Sequence, residues 1–421
     1  MRNYSKERGF SLVELMVAAV IGLIGTMVIF QVFAVSEGQK RTTVSGGDAQ
    51  QNGAIGLYTI ERDARNAGHG LTYLIARGEP IYGWNNLTGA ARAPIIMRPL
   101  TIVRGATSDS VDVNYSTFEG LTAPVKVTSQ LGWDPASVAP ANTMQVATVA
   151  GFNTGNKIVI CPPVPDPLGP PPGSGDNTCI LAEITGFGNN PALPGQILLA
   201  PPPTAFAVNG GALDTSDFNP AAGFGVLNPT LALDAKTLPA LYIAGAQASN
   251  DAIAFNLGNA WVARRYSVDV ANARMMVDNG AGAEEFVDGV VSIRAQYGLD
   301  TTPVLDGVVD EWVDPRSLPG NALADNTPNH PSFNIATRAT IAASWLRVQA
   351  IRIGIVARSG LMEKTSVETR SAIPFWTNPA GNPTPAPQYV VGAGDATRYR
   401  YKVFESVVPL RNMIWQVHRT N

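Results

Sequence analysis

Histidine and cysteine are scarce in this 421-residue chain, which has three of the first and two of the second. His69, His330 and His418 stand far apart in sequence and form no H-E-x-x-H helix. The chain also lacks a G-x-S-x-G elbow and a phosphate-binding loop, and Gly-rich words such as Gly280-Ala-Gly282 lack the strand–helix setting of a phosphate cradle. No enzymatic activity is expected. Two cysteines without neighbouring histidines do not make a zinc site. Basic residues are not in excess: 30 Lys and Arg face 33 Asp and Glu, a formal net charge of −3. With no basic patch carrying interleaved aromatics, a nucleic-acid surface is not expected either.

What the chain does have is one long apolar run near its start. Met1 to Gly9 is a short polar, basic leader, and Phe10 to Val35 is an apolar run whose single charge is Glu14. Those 26 residues would make a helix of roughly 39 Å, enough to cross a hydrocarbon core of about 30 Å. The apolar part of a secretory signal peptide is about 7–15 residues and ends in a small-residue cleavage site. Here the run is longer, and Ser36-Glu37-Gly38-Gln39-Lys40-Arg41 after it offers no such site. A lone carboxylate inside a membrane helix costs on the order of 2.5–3.5 kcal/mol, so Glu14 is read as functional. Arg2, Lys6 and Arg8 against Glu7 keep the leader cytoplasmic, although Lys40 and Arg41 soften the asymmetry. The chain after Val35 is then periplasmic, and an inner-membrane protein with a single span follows.

Helical signals continue beyond the span. Gly53, Leu57, Ile60, Ala64 and Ala67 recur at spacings of four and three, Glu61 and Arg65 form an i,i+4 pair, and Gly68 and Gly70 mark a stop. One helix from Phe10 to about Ala67 is expected, with Gly46-Gly47 either a hinge or a local kink. Beyond it the period changes to two. Candidate strands include Val111 to Tyr115, Lys157 to Cys161, Gln196 to Leu199, Leu241 to Ile243, Ala252 to Phe255, Trp261 to Tyr266 and Arg274 to Val277. Later, Val291, Ile293, Ala295 and Tyr297 share one face, and Ile351, Ile353, Ile355 and Ala357 share another, opposite Arg352 and Arg358. Tyr399, Tyr401 and Val403 alternate with Arg400 and Lys402, and Ser332 to Ser344 reads as a short helix. The fold class is α+β: a long helix packed on a half-buried antiparallel sheet.

The expected organisation is a leader (1–9), a membrane half of the helix (10–35), a periplasmic half (36–68) and a β-rich globular domain (69–421). Residues 120–239, rich in Gly, Pro and Asn, read as a large β- and loop-rich insertion. Cys161 and Cys179 have 17 residues between them in a Pro- and Gly-rich stretch; in an oxidising periplasm they form a disulfide worth about 3 kcal/mol in the chain-entropy model. Pro162–Gly173 and Pro374–Pro387 read as surface loops or polyproline segments.

Gly9-Phe10-Ser11-Leu12-Val13-Glu14-Leu15 resembles the cleavage and anchor signature of type IV prepilins and type II secretion pseudopilins. That resemblance implies cleavage between Gly9 and Phe10 by a prepilin peptidase, methylation of the Phe10 amine, and pairing of Glu14 with a Phe10 ammonium. Three further blocks resemble the PilW family of minor pilins: Ile60 to Gly68; Val287 to Asp300 followed by Ala350 to Ser359; and Tyr399 to Phe404 ending in Val408-Pro-Leu-Arg-Asn412. The family implies a role in pilus assembly or priming at or near the tip, supporting twitching motility, adhesion or DNA uptake. It implies as partners other minor pilins, the major pilin and a large tip adhesin, and residence in the inner membrane and then the pilus. A minor pseudopilin of a type II secretion system and a membrane-tethered binding module are the alternatives. No cofactor is expected. The one metal candidate is calcium at Asp306, Asp310 and Glu311; Thr302 and Val304 break the D-x-D-x-D-G spacing, which favours a solvated acidic loop.

Overall fold

The computed structural model describes residues 11–78, 80–82, 84–85, 90–91, 95–118, 124–129, 143–161, 179–187, 195–198, 253–259, 261–279, 282–318, 324–377 and 386–413. Its first element is a single helix, Leu12–Asn66, of 55 residues, about 80 Å long at 1.5 Å per residue. Gly46 and Gly47 lie inside it without a break. The helical cost of two glycines, about 1 kcal/mol each, is outweighed by propagation and by packing that begins at Ala49.

The helix has two characters. Leu12–Lys40 is exposed all round and contains a window of mean hydropathy 2.5. Its C-terminal half buries the expected stripe, with Ile60, Ala64 and Ala67 fully covered and Leu57 nearly so. Gly68 and Gly70 adopt left-handed backbone that ends the helix, at φ +75° and +68°. The Gly68 N–H donates to the Asn114 carbonyl at 2.8 Å, and the Asn412 side-chain amide donates to the carbonyls of Ala67 and Asn66 at 3.0 and 3.3 Å. A short helix unannounced by the periodicity, Thr72–Arg77, follows.

The sheet that receives the helix is antiparallel, in the order Glu311–Val313, Val290–Leu299, Val348–Arg358, Tyr401–Pro409. Ile351, Ile353, Ile355, Ile293, Ala295 and Tyr297 join Leu57 and Ile60 in the main core. A bulge between Val290 and Ser292 puts Val290 in that core and turns Val291 to the other face. The expectation of a half-buried sheet is corrected here: the far face is also covered, by Ile373, Phe375, Trp376 and Val391. Arg352 and Arg358, expected in solvent, stack on Trp376 and Tyr399 at 4.7 and 4.3 Å. Gly354 permits this closure, because a Cβ there would stand 2.8 Å from Phe375.

Among the described residues there are two further large sheets, besides two two-stranded ones, Trp84–Asn85 with Ala90–Ala91 and Ala372–Pro374 with Gln388–Val390. One is five-stranded, in the order Ala283–Asp288, Arg274–Asp278, Trp261–Asp269, Ser110–Ser116, Leu100–Val103. The other is nine-stranded and takes in strands between residues 125 and 198 of the stretch expected to be an insertion, whose residues 199–239 lie outside the described residues. Val125–Ser129, Thr143–Val146, Lys157–Cys161, Cys179–Glu183, Gly186–Phe187 and Gln196–Leu198 lie in it, together with Pro80–Tyr82, Ile95–Ile96 and Ile253–Gly258 from outside that stretch. Lys157–Cys161 reads as a continuous apolar run because both its faces are covered. Val159 and Cys161 join the main core, whereas Ile158 and Ile160 join a second cluster with Met144, Val146 and Ile197.

Ser332–Ser344 is helical only over Arg338–Ser344. Thr337 starts that helix with a reciprocal capping box to Thr340. The earlier residues are taken up in turns, where the Asn334 side chain accepts from the Ala336 N–H at 2.9 Å. The candidate strand at Leu241–Ile243 and the proline segment at 162–173 lie outside the described residues, as do residues 378–385 of the second proline segment.

Candidate functional site

Two groups of residues matter: those at the exposed start of the helix and those that fix its other half to the sheets. Gly9 and Phe10 lie outside the described residues. Glu14 lies in the first turn of the helix, exposed and flanked by Leu12, Val13, Leu15 and Met16, which are exposed too. A carboxylate there meets the positive end of the helix dipole. Ser11, at the N-cap, makes no side-chain hydrogen bond to the helix.

The docked half is held by packing and by a buried carboxylate. Gly53 lets the Phe404 ring lie against the helix backbone: a Cβ on it would fall 2.2 Å from that ring. Gly56 admits Met275 in the same way. Asp63 is 1% exposed. It accepts from the Tyr266 hydroxyl at 2.6 Å and from the Arg264 guanidinium at 2.7 Å. Burial, and then the hydrogen bond to Asp63, push the Tyr266 phenol above its ordinary range. On the outer side, Glu61 pairs with Arg65 and Lys402 donates to the Gln50 side chain at 2.9 Å. Asp63 falls within the Ile60 to Gly68 block of the sequence but carries no assigned role there; it sits three residues after Ile60 and four before Ala67, on the buried stripe.

A second buried carboxylate fixes a loop along the edge of the Val290–Leu299 strand, where the Asp109 N–H donates to the Ile293 carbonyl at 2.8 Å. Asp109 pairs with Arg294 at 2.6 Å and Arg104 at 3.0 Å, and accepts from the Ala295 N–H at 3.1 Å. Burial pushes its carboxyl up despite the two guanidinium groups. Arg294 also donates to the carbonyls of Gly105 and Ala106, both at 2.8 Å.

The structure does not bring the calcium candidates together as ligands. Asp306 accepts from the Val308 N–H at 2.9 Å, Asp310 from the Thr301 N–H at 2.8 Å, and Glu311 faces His330 at 3.1 Å. The loop is organised instead by Asp300, fully buried, whose carboxylate accepts from the N–H groups of Asp306 and Gly307 at 2.8 and 2.9 Å and from Thr302. Burial raises the Asp300 carboxyl, but these donors outweigh it and leave it below the usual range. Among the described residues no group of three or more His, Cys, Asp or Glu side chains is placed to hold a metal ion. His69 contacts the Phe118 carbonyl at 3.2 Å, and His418 lies outside the described residues.

Cys161 and Cys179 form a disulfide, with S–S 2.03 Å and Cα atoms 4.3 Å apart. It joins neighbouring antiparallel strands and is buried in the main core.

Residues 4–30 match the prokaryotic N-terminal methylation motif. Residues 264–412 match the family described as type IV pilus-assembly protein W, PilW. No curated protein sequence is similar enough to count as a match. Among solved structures, a type IV-like pilin from Thermus thermophilus aligns over 86% of this chain and 95% of its own, with 9% identity and a TM-score of 0.26. The chain therefore carries a prepilin-type methylation motif at its N-terminus, ahead of a long helix packed on antiparallel sheets. Its C-terminal part is PilW-like, and that part contains the whole core sheet along with Arg264, Tyr266, Lys402, Phe404 and Asn412, the groups that hold the helix.

Proposed function

We propose that this chain is a minor pilin, made as a precursor, cut between Gly9 and Phe10 by a prepilin peptidase, and held in the inner membrane with its globular domain in the periplasm. It enters a type IV pilus at or near the tip and helps to prime assembly with other minor pilins and the major pilin. Its role is structural, not catalytic. The observation that carries this reading is the division of one continuous helix. Its second half is locked to the sheets through Asp63, Gly53 and Asn412, and its first half exposes a largely apolar surface all round, with the Glu14 carboxylate near its start. A tether needs only the apolar surface. The carboxylate and the rigid continuation are what a helix needs to dock, in register, against neighbouring helices in lipid. There Glu14 meets a Phe10 ammonium, a charge-assisted contact strengthened by low dielectric. Motility, adhesion and DNA uptake are the outputs such a filament supports.

The test is Glu14→Leu. Recovery of other minor pilins from detergent-solubilised membranes is expected to fall several-fold, with fewer pili, while membrane insertion is unchanged. Equal recovery and normal piliation would return the helix to the status of a tether.

A further inference from the structure

We propose that residues 360–365 form a foot by which the globular domain rests on the phospholipid headgroup layer beside its own membrane helix. The proposal rests on the reading of the N-terminal helix as inserted in a bilayer, and adds to it a second, separate lipid contact. Ala34, Val35, Glu37, Gly38, Gln39 and Thr43 of the helix form one wall of an open cleft, and Met362 to Thr365 form the other. At 1.5 Å per residue, about 20 residues of helix from Leu12 cross a hydrocarbon core of about 30 Å. That places the outer edge of the core near Val32, and Ala34 to Gln39 in the headgroup layer. Whatever stands across the cleft stands at the same depth.

The segment is apolar at its tip and held firmly at its base. Leu361 is 50% exposed and Met362 38%. Ser359 N–H donates to the Arg400 carbonyl at 2.8 Å, the Glu363 N–H donates to the Arg398 carbonyl at 2.9 Å, and Arg398 Nε donates back to the Glu363 carbonyl at 2.7 Å. The Glu363 carboxylate takes a bond from Arg400 at 3.0 Å. Both ends of the segment are therefore tied to the chain that enters Tyr401–Pro409, and Lys402 of that strand holds the helix at Gln50. Of the charges facing the cleft, Glu363 is matched by Arg400 and Glu37 stands on the helix. Lys364 is exposed on the loop, where anionic headgroups would meet it, and Lys40 is exposed on the helix. Two apolar side chains at headgroup depth, followed by a lysine on a braced loop, suit the boundary between acyl chains and headgroups.

The test uses the full chain in vesicles of phosphatidylethanolamine and phosphatidylglycerol. Both native cysteines are in the disulfide and none is free among the described residues, so a thiol introduced at Leu361 can carry an environment-sensitive fluorophore. Labels at Val28 in the helix and at Val304, 71% exposed in the loop after Leu299 at the opposite end of the core sheet, are the references. Leu361→Cys should show blue-shifted emission and at least twofold quenching by a headgroup-region quencher. Val28→Cys should be quenched by a bilayer-centre quencher, and Val304→Cys by neither. A Leu361 label that behaves like Val304 while Val28 is quenched overturns the foot and leaves the membrane reading intact. An unquenched Val28 label overturns both. A Leu361 label shielded only as protein density rises, with energy transfer between copies and no lipid quenching, overturns the proposal in favour of a subunit contact.

Discussion

Replacing Asp63 by Ala tests whether the helix is pinned to the sheets by a buried carboxylate or merely packed against them. The Tyr266 hydroxyl is buried and loses its acceptor, at a cost of about 1–3 kcal/mol for an unsatisfied buried donor. The Arg264 side chain is 31% exposed and can turn to water, so its lost ion pair adds about 1 kcal/mol at most. Alanine returns up to about 0.7 kcal/mol through better helix propensity. The net expectation is a loss of about 2 kcal/mol, read as a lower urea midpoint of the full chain in detergent with little change in slope. Tyr266→Phe alone should cost about 1 kcal/mol. Because both variants remove the same bond, the double variant should cost less than the sum of the two. An Asp63→Ala protein within about 0.5 kcal/mol of wild type, or strictly additive losses, would refute the pinning argument.

Three further outcomes are expected. Gly9→Val should leave the full-length precursor in the membrane, and mass spectrometry finding a mature N-terminus still at Phe10 would defeat the processing assignment. Thiol labelling of the denatured, unreduced protein should find neither Cys161 nor Cys179 free, and reduction should lower stability by about 3 kcal/mol for a loop of this length; labelling of both thiols without reductant would contradict the bond. Asp300 has a folded pKa below its unfolded value, so the stability it contributes is complete above the unfolded value, about 3.9, and is lost as pH falls from there through the folded value. Urea midpoints taken at neutral pH and near pH 3 should converge in Asp300→Asn relative to wild type, and an unchanged acid loss in the variant would contradict the loop geometry.

The helix was the most legible part of this sequence, because its period of 3.6 names the buried stripe from Gly53 to Ala67 and its glycines name the end. The central strands were legible for a similar reason, since Ile351, Ile353 and Ile355 alternate with Arg352. Their second covering was not. Arg352 and Arg358 look solvated in a one-dimensional pattern, and only the return of Phe375, Trp376 and Tyr399 from distant positions shows that they lie under aromatic rings. Between residues 125 and 198 the strands Lys157–Cys161 and Gln196–Leu198 were legible, but Val125–Ser129, Thr143–Val146, Cys179–Glu183 and Gly186–Phe187 were not. A strand buried on both faces shows no alternation, and several here span only two to five residues. The acidic loop after Asp300 was read as a solvated loop, with Asp306, Asp310 and Glu311 its one metal candidate. Its carboxylates resemble a cation site in sequence, but backbone N–H groups and side chains of the loop take the oxygens first.

The nine-stranded sheet makes the middle of the chain hard to remove. Excision of residues 120–239 would take the Lys157–Cys161 neighbour away from Ile253–Gly258 and the Cys179–Glu183 neighbour away from Pro80–Tyr82. Each survivor would present a row of vacant backbone donors and acceptors, the template on which chains join edge to edge. A shortened version would need new charges, a proline or a covering helix along those borders before it stayed soluble. The region is stitched into its host rather than hung from it, and the disulfide lies at the seam.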